Sequence, residues 1–372
     1  MRFLRDVPKN LLGGRALVRI DLNSKDDWRI LSAAKTLKYI SGKAAGILIL
    51  SHAGRPDIKK TEDLKKFSLN QKTKNLSKIL NKPIHFLNNI KEAEAKFLNC
   101  KKGEIFLLEN LRFDSGEEKN DPSLARKLAS LGDYYVNEAF PVSHRANASV
   151  SAITKFIPSF AGFGFEAEVS NLSRIIANPK KPLVVILGGG KSADKVRIIK
   201  NLSRITKWFL LGGASANTLL HLRGHDMGNS LREQNPKILK EMKPLLNLKS
   251  VLLPFDCRKE DGTVLDIGDF TAKEYTSKIK EAKTIVWAGP LGLFEKKKFA
   301  KGSLDVAKAI SSNKNSFSVV GGGETVEFLR KNKMDKYFDF ISTGGGAMLD
   351  FLAGKKLPGI EALNKYGKTN RA

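Results

Sequence analysis

The stretch Leu183-Val184-Val185-Ile186-Leu187-Gly188-Gly189-Gly190-Lys191-Ser192 is a run of aliphatic residues closed by three glycines and a lysine. An apolar run without polar alternation suits a strand buried on both faces, and such strands belong to parallel sheets covered by helices. The glycines then permit a tight turn into the next segment. The pattern recurs downstream. Trp208–Leu211 runs into Gly212-Gly213-Ala214, Thr284–Trp287 into Ala288-Gly289-Pro290, Phe317–Val320 into Gly321-Gly322-Gly323-Glu324-Thr325, and Phe338–Ile341 is followed by Thr343-Gly344-Gly345-Gly346. Ser250–Phe255 is a further strand candidate without the glycines. Between these runs, Val196–Ile205 and Leu304–Ile310 place apolar residues three and four apart, the spacing of an amphipathic helix.

Upstream the same alternation continues, with strand candidates at Arg15–Ile20, Ala45–Leu50, Ile84–Leu87, Glu104–Glu109 and Tyr134–Asn137 and a helical segment at Ser123–Leu131. Strands alternating with helices over the whole length are the mark of βαβ units. The expected fold is α/β: two doubly wound, Rossmann-like parallel-sheet lobes, residues 1–165 and 181–350, joined by a helical hinge over 166–180. The hinge rests on the helical segment Ala167–Ala177, closed by Asn178-Pro179. Residues 351–372 form a tail that either packs back on the N-terminal lobe or frays.

A length of 372 residues accords with about two domains. At 41% hydrophobic and 28% charged residues, the composition is that of an ordinary globular protein. The longest apolar runs fall far short of the roughly 18 residues that span a bilayer. Asp6 and Pro8 interrupt the N-terminus where a secretory signal would need an apolar stretch, so the expected location is the cytoplasm. Cys100 and Cys257 show no metal-ligand spacing and no disulfide framework. The net charge of +27 is spread over both halves, and the longest basic run is Lys296–Lys298. A nucleic-acid reader concentrates its charge on a patch or arm, so most of this excess reads as a lysine-rich background, with some basic residues left to hold an anionic substrate.

Ligands of open α/β sheets bind beyond the carboxyl ends of the strands, and the two halves differ there. The second half offers glycines, which let backbone N–H groups approach a ligand, followed by helix starts that favour phosphate. This half reads as a nucleotide lobe. The plain alternative, glycines that merely make turns, stays open for any single cluster. Common nucleotide motifs do not fit: Val185 stands where a Walker A loop requires glycine, and the strand ending at Leu211 is followed by no acidic residue to hold a ribose. The first half offers charge instead: Arg19-Ile20-Asp21-Leu22-Asn23, Ser51-His52-Ala53-Gly54-Arg55-Pro56, Glu109-Asn110-Leu111-Arg112-Phe113, and Glu138-Ala139-Phe140 followed by His144-Arg145. Guanidinium groups bind carboxylate and phosphate oxygens bidentately, so several at one sheet edge suit a small, multiply anionic substrate. The competing reading pairs each arginine with a neighbour such as Asp21 or Glu109. An anion lobe and a nucleotide lobe across a hinge form the plan of a kinase that closes before phosphoryl transfer.

With these blocks assembled in order, the chain resembles the phosphoglycerate kinases along nearly its whole length. The resemblance rests on Val18–Asn23, Ser51–Pro56, Leu108–Phe113, His144–Ala146, Ile186–Lys191 with Asp194-Lys195, Trp287–Glu295, Gly321–Thr325, Ser342–Ala347 and Gly354–Gly359. It implies phosphoryl transfer between 1,3-bisphosphoglycerate and ADP, giving 3-phosphoglycerate and ATP with Mg²⁺, by a monomer in the cytoplasm with no membrane or nucleic-acid partner. It implies that Asp21, Leu22, Asn23, Arg29, His52, Ala53, Gly54, Arg55, Arg112 and Arg145 bind 3-phosphoglycerate. It assigns the nucleotide to Gly189, Gly190, Lys191, Lys195, Gly213, Pro290, Glu295, Gly322, Gly323, Glu324 and Thr325, with Glu324 at the metal. Arg29 and Lys191 are the catalytic candidates, because a loose phosphoryl transition state needs charge neutralisation more than a nucleophile.

The sequence departs from the family in four places. Only residues 24–28 separate Asn23 from Arg29, where the family has a longer loop; Ala288 replaces an asparagine; Glu324 replaces an aspartate; and Pro141-Val142-Ser143 replaces Gly-Thr-Ala. A catalytically weakened or silent relative that binds nucleotide or nucleic acid is the alternative these departures raise.

Overall fold

The computed structural model describes residues 1–23 and 28–366. The chain forms two compact units, one of Met1–Val169 with Lys356–Ala372, the other of Ser170–Lys355.

The first unit is built on β1 (Arg15–Arg19), β2 (Gly46–Leu50), β3 (Ile84–Leu87), β4 (Glu104–Leu108), β5 (Tyr134–Asn137) and β6 (Ser159–Ala161). Its sheet runs in the order β3-β4-β2-β1-β5-β6, with every pairing parallel. Alternate residues feed opposite faces. Ala16, Val18, Ile47, Ile49 and Val136 enter one core cluster, while Leu17, Leu48, Leu50, Phe106 and Tyr135 enter another. Each such side chain contributes roughly 1.5–3 kcal/mol by leaving water, so a shift of register by one residue would exchange the two cores and is excluded by packing. β6, only three residues long, was not expected from the sequence. The helix Pro358–Tyr366 contacts it and the turn Ala152–Lys155.

The second unit holds β7 (Leu183–Leu187), β8 (Trp208–Leu211), β9 (Val251–Leu252), β12 (Thr284–Ala288), β13 (Phe317–Gly321) and β14 (Phe340–Ile341), in the parallel order β14-β13-β12-β7-β8-β9. Two expected strands contract. Ser250–Phe255 keeps only β9, because Pro254 cannot donate to a ladder, and Phe338–Ile341 keeps only β14, because the turn Asp335–Tyr337 precedes it. An antiparallel hairpin of β10 (Cys257–Glu260) and β11 (Thr263–Ile267) is an addition. Its two-residue turn, Asp261-Gly262, has φ of 48° and 73°, the left-handed pair that Asp-Gly accommodates.

The expected linking helix is present and longer than its periodicity suggested, Phe163–Ala177, and the division between the units falls within it. The helix Gly346–Leu352 runs through residue 350, and the C-terminal division falls at Lys355. Among the described residues no helix is long and apolar enough to cross a membrane.

Candidate active site

In the first unit the candidate residues follow the carboxyl ends of β1, β2, β4 and β5. His52 stands at the centre. It is 2% exposed, and its Nδ1 lies 3.0 Å from Arg19 Nη2. Burial, with the charges of Arg19, Arg112, Arg145 and Arg29, holds its imidazole well below the ordinary range, so it is neutral at pH 7. Arg19 is engaged inside the protein. It donates from Nε to Ser149 Oγ at 2.9 Å and from Nη1 to Ile20 O, and the buried Glu117 accepts from Ser149 in turn. Arg19 thus spends its guanidinium on a hydroxyl, a carbonyl and an imidazole inside the protein, whereas it is Arg29 and Arg112 that pair with carboxylates, Asp21 and Glu118.

Arg29 sits in the first turn of the helix Trp28–Ser41, next to residues 24–27 of the short loop, which lie outside the described residues. It donates from Nη1 to Asp21 Oδ2 at 2.6 Å, while Asp21 Oδ1 accepts the Asn23 N–H at 3.0 Å. Asp21 thus orients Arg29 and the following turn. Arg112 donates to Gly54 O and pairs with Glu118 at 3.1 Å. Burial lowers its pKa, and the charges of Arg145, Arg19 and Arg55 act in the same direction against Glu118. Three buried nitrogens, Arg29 Nε, Arg112 Nε and His52 Nε2, have no hydrogen-bond partner among the described residues. Glu109, which the sequence offered as an arginine partner, instead accepts from Ser68 Oγ, Leu69 N and Asn110 N.

The structure separates ligand candidates from supports. Leu22 has its side chain in the core and donates its N–H to Ser51 Oγ, which leaves only its carbonyl. The Ala53-Gly54 backbone is clamped: Asn110 accepts the Ala53 N–H and donates to its carbonyl, and Asn23 Oδ1 accepts the Gly54 N–H at 2.8 Å. Gly54 has φ +61°, and a Cβ there would strike the Phe67 ring, so glycine is required for packing alone. Asn110, which sequence reading quoted without assigning a role, is the residue that shapes this loop. His144 is half-buried with its Nε2 accepting from Arg145 Nε at 3.3 Å. Pro141 and Val142 are buried in a short turn.

In the second unit the glycine turns divide the same way. A Cβ on Gly213, φ +56°, would lie 2.6 Å from Gly189 O, and one on Gly188 would lie 2.0 Å from Pro290 O. These glycines let the turns after β7, β8 and β12 pack on one another. A Cβ on Gly323 would meet nothing within 4 Å, and one on Gly190 only the tip of Leu231, so those two face open space. Gly322 and Gly323 stand at the start of the helix Gly323–Lys331. Thr325 is buried and accepts the Gly289 N–H at 2.8 Å, which makes it a support of the β12 turn. Gly344 donates its N–H to Ser342 Oγ.

A cavity of about 310 Å³ lies beside these turns. Its walls include Gly189, Gly190, Gly213, Pro290, Glu295 and Glu324, with apolar surface from Leu220, Leu231, Pro254, Val264 and Leu291. Apolar walls with polar groups at one end suit a purine with its phosphates. Lys191 is the exposed N-cap of the helix Ser192–Leu202, and Lys195, one turn on, is 6% exposed with its pKa lowered by burial. Asp194 and Glu324 oppose that shift, and Lys191 adds to it. Glu324 forms no ion pair among the described residues. Also among the described residues, no three His, Cys, Asp or Glu side chains group as a metal site. A single free carboxylate beside phosphate groups is the usual way Mg²⁺ is held on a nucleotide, so Glu324 fits that ion. Ala288 is buried at the end of β12 and offers no amide to the cavity.

Guanidinium groups beyond the carboxyl ends of one sheet's strands, and glycine turns with helix starts beyond those of the second sheet, are the equipment of a kinase for small anions. The family model for phosphoglycerate kinase matches residues 4–355. The phosphoglycerate kinase of Dictyoglomus turgidum is 38% identical over 393 aligned residues, and that of Thermosipho africanus 39% over 396, each covering 97% of both chains. The solved phosphoglycerate kinase of Coxiella burnetii aligns with a TM-score of 0.84 at 33% identity, covering 98% of this chain and 99% of that one. The enzyme from Pyrococcus horikoshii aligns at 0.86 and 29%, with the same coverage. The chain belongs to the phosphoglycerate kinase family, and it is a phosphotransferase whose acceptor is a carboxyl group.

Proposed function

We propose that this chain moves a phosphoryl group between 1,3-bisphosphoglycerate and ADP through two residue sets, the cations of the first unit and the glycine turns of the second. The observation that supports the first set most strongly is the trio of unpartnered buried nitrogens, Arg29 Nε, Arg112 Nε and His52 Nε2. Buried polar groups are rarely left without partners, and an anion would complete a cluster whose neighbours are already cationic. Arg55 and Arg145 extend it. His52, kept neutral with Nδ1 accepting from Arg19, can donate from Nε2 without adding repulsion.

In the reaction Asp21 holds Arg29 by one nitrogen, and the remaining guanidinium edge neutralises oxygens of the transferring group. Lys191 does the same from the nucleotide side. The N–H groups of Gly190 and Gly323 orient the phosphates. Glu324 would hold Mg²⁺ with the nucleotide, and the ion would supply additional charge neutralisation. No general base is required of the protein, because the carboxylate of 3-phosphoglycerate is already the nucleophile. The reading includes a monomer working in the cytoplasm. Unpaired Cys100 and Cys257 accord with a reducing compartment.

A coupled assay of ATP consumption dependent on 3-phosphoglycerate tests the reading. Lys191→Ala is expected to lower turnover about 100-fold or more while ADP affinity changes severalfold at most, since a charge aimed at the moving group acts in the transition state. Absence of acid-dependent turnover in the parent chain would show a silent relative.

A further inference from the structure

Residues 289–296, which follow β12 and carry Pro290 and Glu295, form no helix or strand. Their backbone is held at three points. Gly289 donates to Thr325 Oγ1 at 2.8 Å, Leu291 to Ser303 Oγ at 2.9 Å, and Leu293 to Leu265 O at 2.7 Å. Two of these anchors meet at one side chain that the reaction does not use. Asp266 follows Leu265 in β11, and its Oδ2 accepts the N–H of Gly302, the residue before Ser303, at 2.8 Å. Its Oδ1 accepts the Ile267 N–H at 2.9 Å.

The helix Lys301–Ser312 has Ala300 at its N-cap, which offers no side-chain cap. Asp266 supplies that cap from β11, where a carboxylate satisfies free N–H groups and meets the positive end of the helix dipole. The fit is tight. A Cβ on Gly292 would lie 2.4 Å from Asp266 Oδ1, and one on Gly302 2.6 Å from it. Asp266 is 2% exposed and borders the cavity.

We propose that Asp266 is a positioning residue of the nucleotide site: by capping the helix Lys301–Ser312 from β11 it fixes Ser303 and Leu265, and through them the loop that carries Pro290 and Glu295. The proposal rests on the reading of the cavity as the nucleotide site. Both carboxylate oxygens are engaged by backbone N–H groups, so Asp266 acts through the loop. Burial pushes its carboxyl up to about 6, against the N–H bonds of Gly302 and Ile267 and the charge of Arg258, and with that of Asp305. Lys301, in the same first turn, is paired with Asp269 and Asp305. The cap therefore weakens as pH falls through about 6, because a protonated carboxyl keeps one good acceptor oxygen.

The test uses the full chain carrying Leu231→Trp, whose position on the cavity wall makes its fluorescence a direct reading of ADP binding. Adding Asp266→Asn is expected to raise the ADP Kd about tenfold at pH 7.5, the scale of a lost charged hydrogen bond, while the KM for 3-phosphoglycerate stays within about twofold. The pH dependence of ADP affinity between pH 5 and 7 should flatten in the same variant. Ser303→Ala, which removes one anchor and leaves the cap, should raise the Kd about threefold. It carries the test alone if the asparagine variant does not fold. An unchanged ADP Kd in the variants that fold, or an equal loss for both substrates, overturns the proposal. If ADP supports turnover yet leaves the Leu231→Trp signal unchanged, the cavity is not the nucleotide site and both readings fall; a normal signal with unaltered affinity sinks the role of Asp266 alone.

Discussion

In the proposed function the two units offer different atoms to charged small molecules. The first offers side chains, with Arg19, Arg29, Arg112 and Arg145 acting on a histidine kept neutral. The second offers backbone N–H groups at turns where Gly188, Gly213 and Gly289 pack too closely for any Cβ. Like charges repel, so the first unit needs Asp21 and Glu118 as counterweights and must bury part of its guanidinium surface. Backbone dipoles do not repel in that way, yet they work only while neighbouring turns keep their spacing. A side-chain site should therefore respond to changes of charge and tolerate small shifts of backbone, and a backbone site should do the reverse.

The sharpest way to break this contrast is Arg29→Ala. Turnover should fall about 100–1000-fold, the range for removing one donor aimed at transition-state charge, with ADP affinity little altered. A fall under about tenfold in steady-state turnover would take Arg29 out of the transfer. Next in size is Gly213→Ala. Left-handed φ and a 2.6 Å approach to Gly189 O make any side chain strained there, so stability should drop by about 1–3 kcal/mol in a denaturant titration and ADP binding should weaken with it.

Glu324→Gln should lower activity about tenfold at limiting Mg²⁺, with partial recovery as Mg²⁺ is raised, whereas Glu324→Asp should keep most of it. Equal activity of the glutamine variant and the parent at low Mg²⁺ would remove Glu324 from the ion. A smaller effect separates the units by pH. Glu138, at the end of β5, accepts from Thr36 Oγ1 at 2.6 Å and from the Phe165 N–H at 3.1 Å, and burial pushes its carboxyl up to about 8. Its folded value is raised, so its contribution to stability is complete below about 4.5 and is lost as pH rises through about 8. Thermal melts of the parent should therefore show a downward slope across that window, and Glu138→Gln should flatten it. The smallest effect belongs to Gly323→Ala: nothing lies within 4 Å of its Cβ position, and ADP affinity should stay within about threefold.

Much of this architecture was legible because buried parallel strands cannot hide their aliphatic runs. β3, β5, β7 and β8 stand where the sequence reading put them. The hairpin β10–β11 was missed although Asp261-Gly262 is a strong turn signal, because Cys257–Glu260 is polar and lacks the apolar alternation that marks a strand. β6 was missed because three residues after Pro158 hold too little pattern. In the site, residue types revealed where charge and glycine gather. Which of them serve as supports did not show, since the engagement of Leu22, Thr325 and the Ala53-Gly54 backbone depends on partners far along the chain. Asp266 carried no motif of its own.

The helix Pro358–Tyr366 belongs to the first unit, although 186 intervening residues of the second, Ser170–Lys355, come before it. During synthesis the second unit is a continuous stretch of chain, and domains generally fold as units as they emerge. The first must wait, incomplete, until the last segment emerges to cover β6 and the turn Ala152–Lys155. Leu357, just before the helix, and Ile360, Ala362 and Leu363 within it are the buried apolar residues that segment brings. The unit made first is thus the one finished last, and truncated chains from interrupted translation carry a mature second unit beside an unfinished first, a state in which exposed apolar surface invites chaperones or proteases.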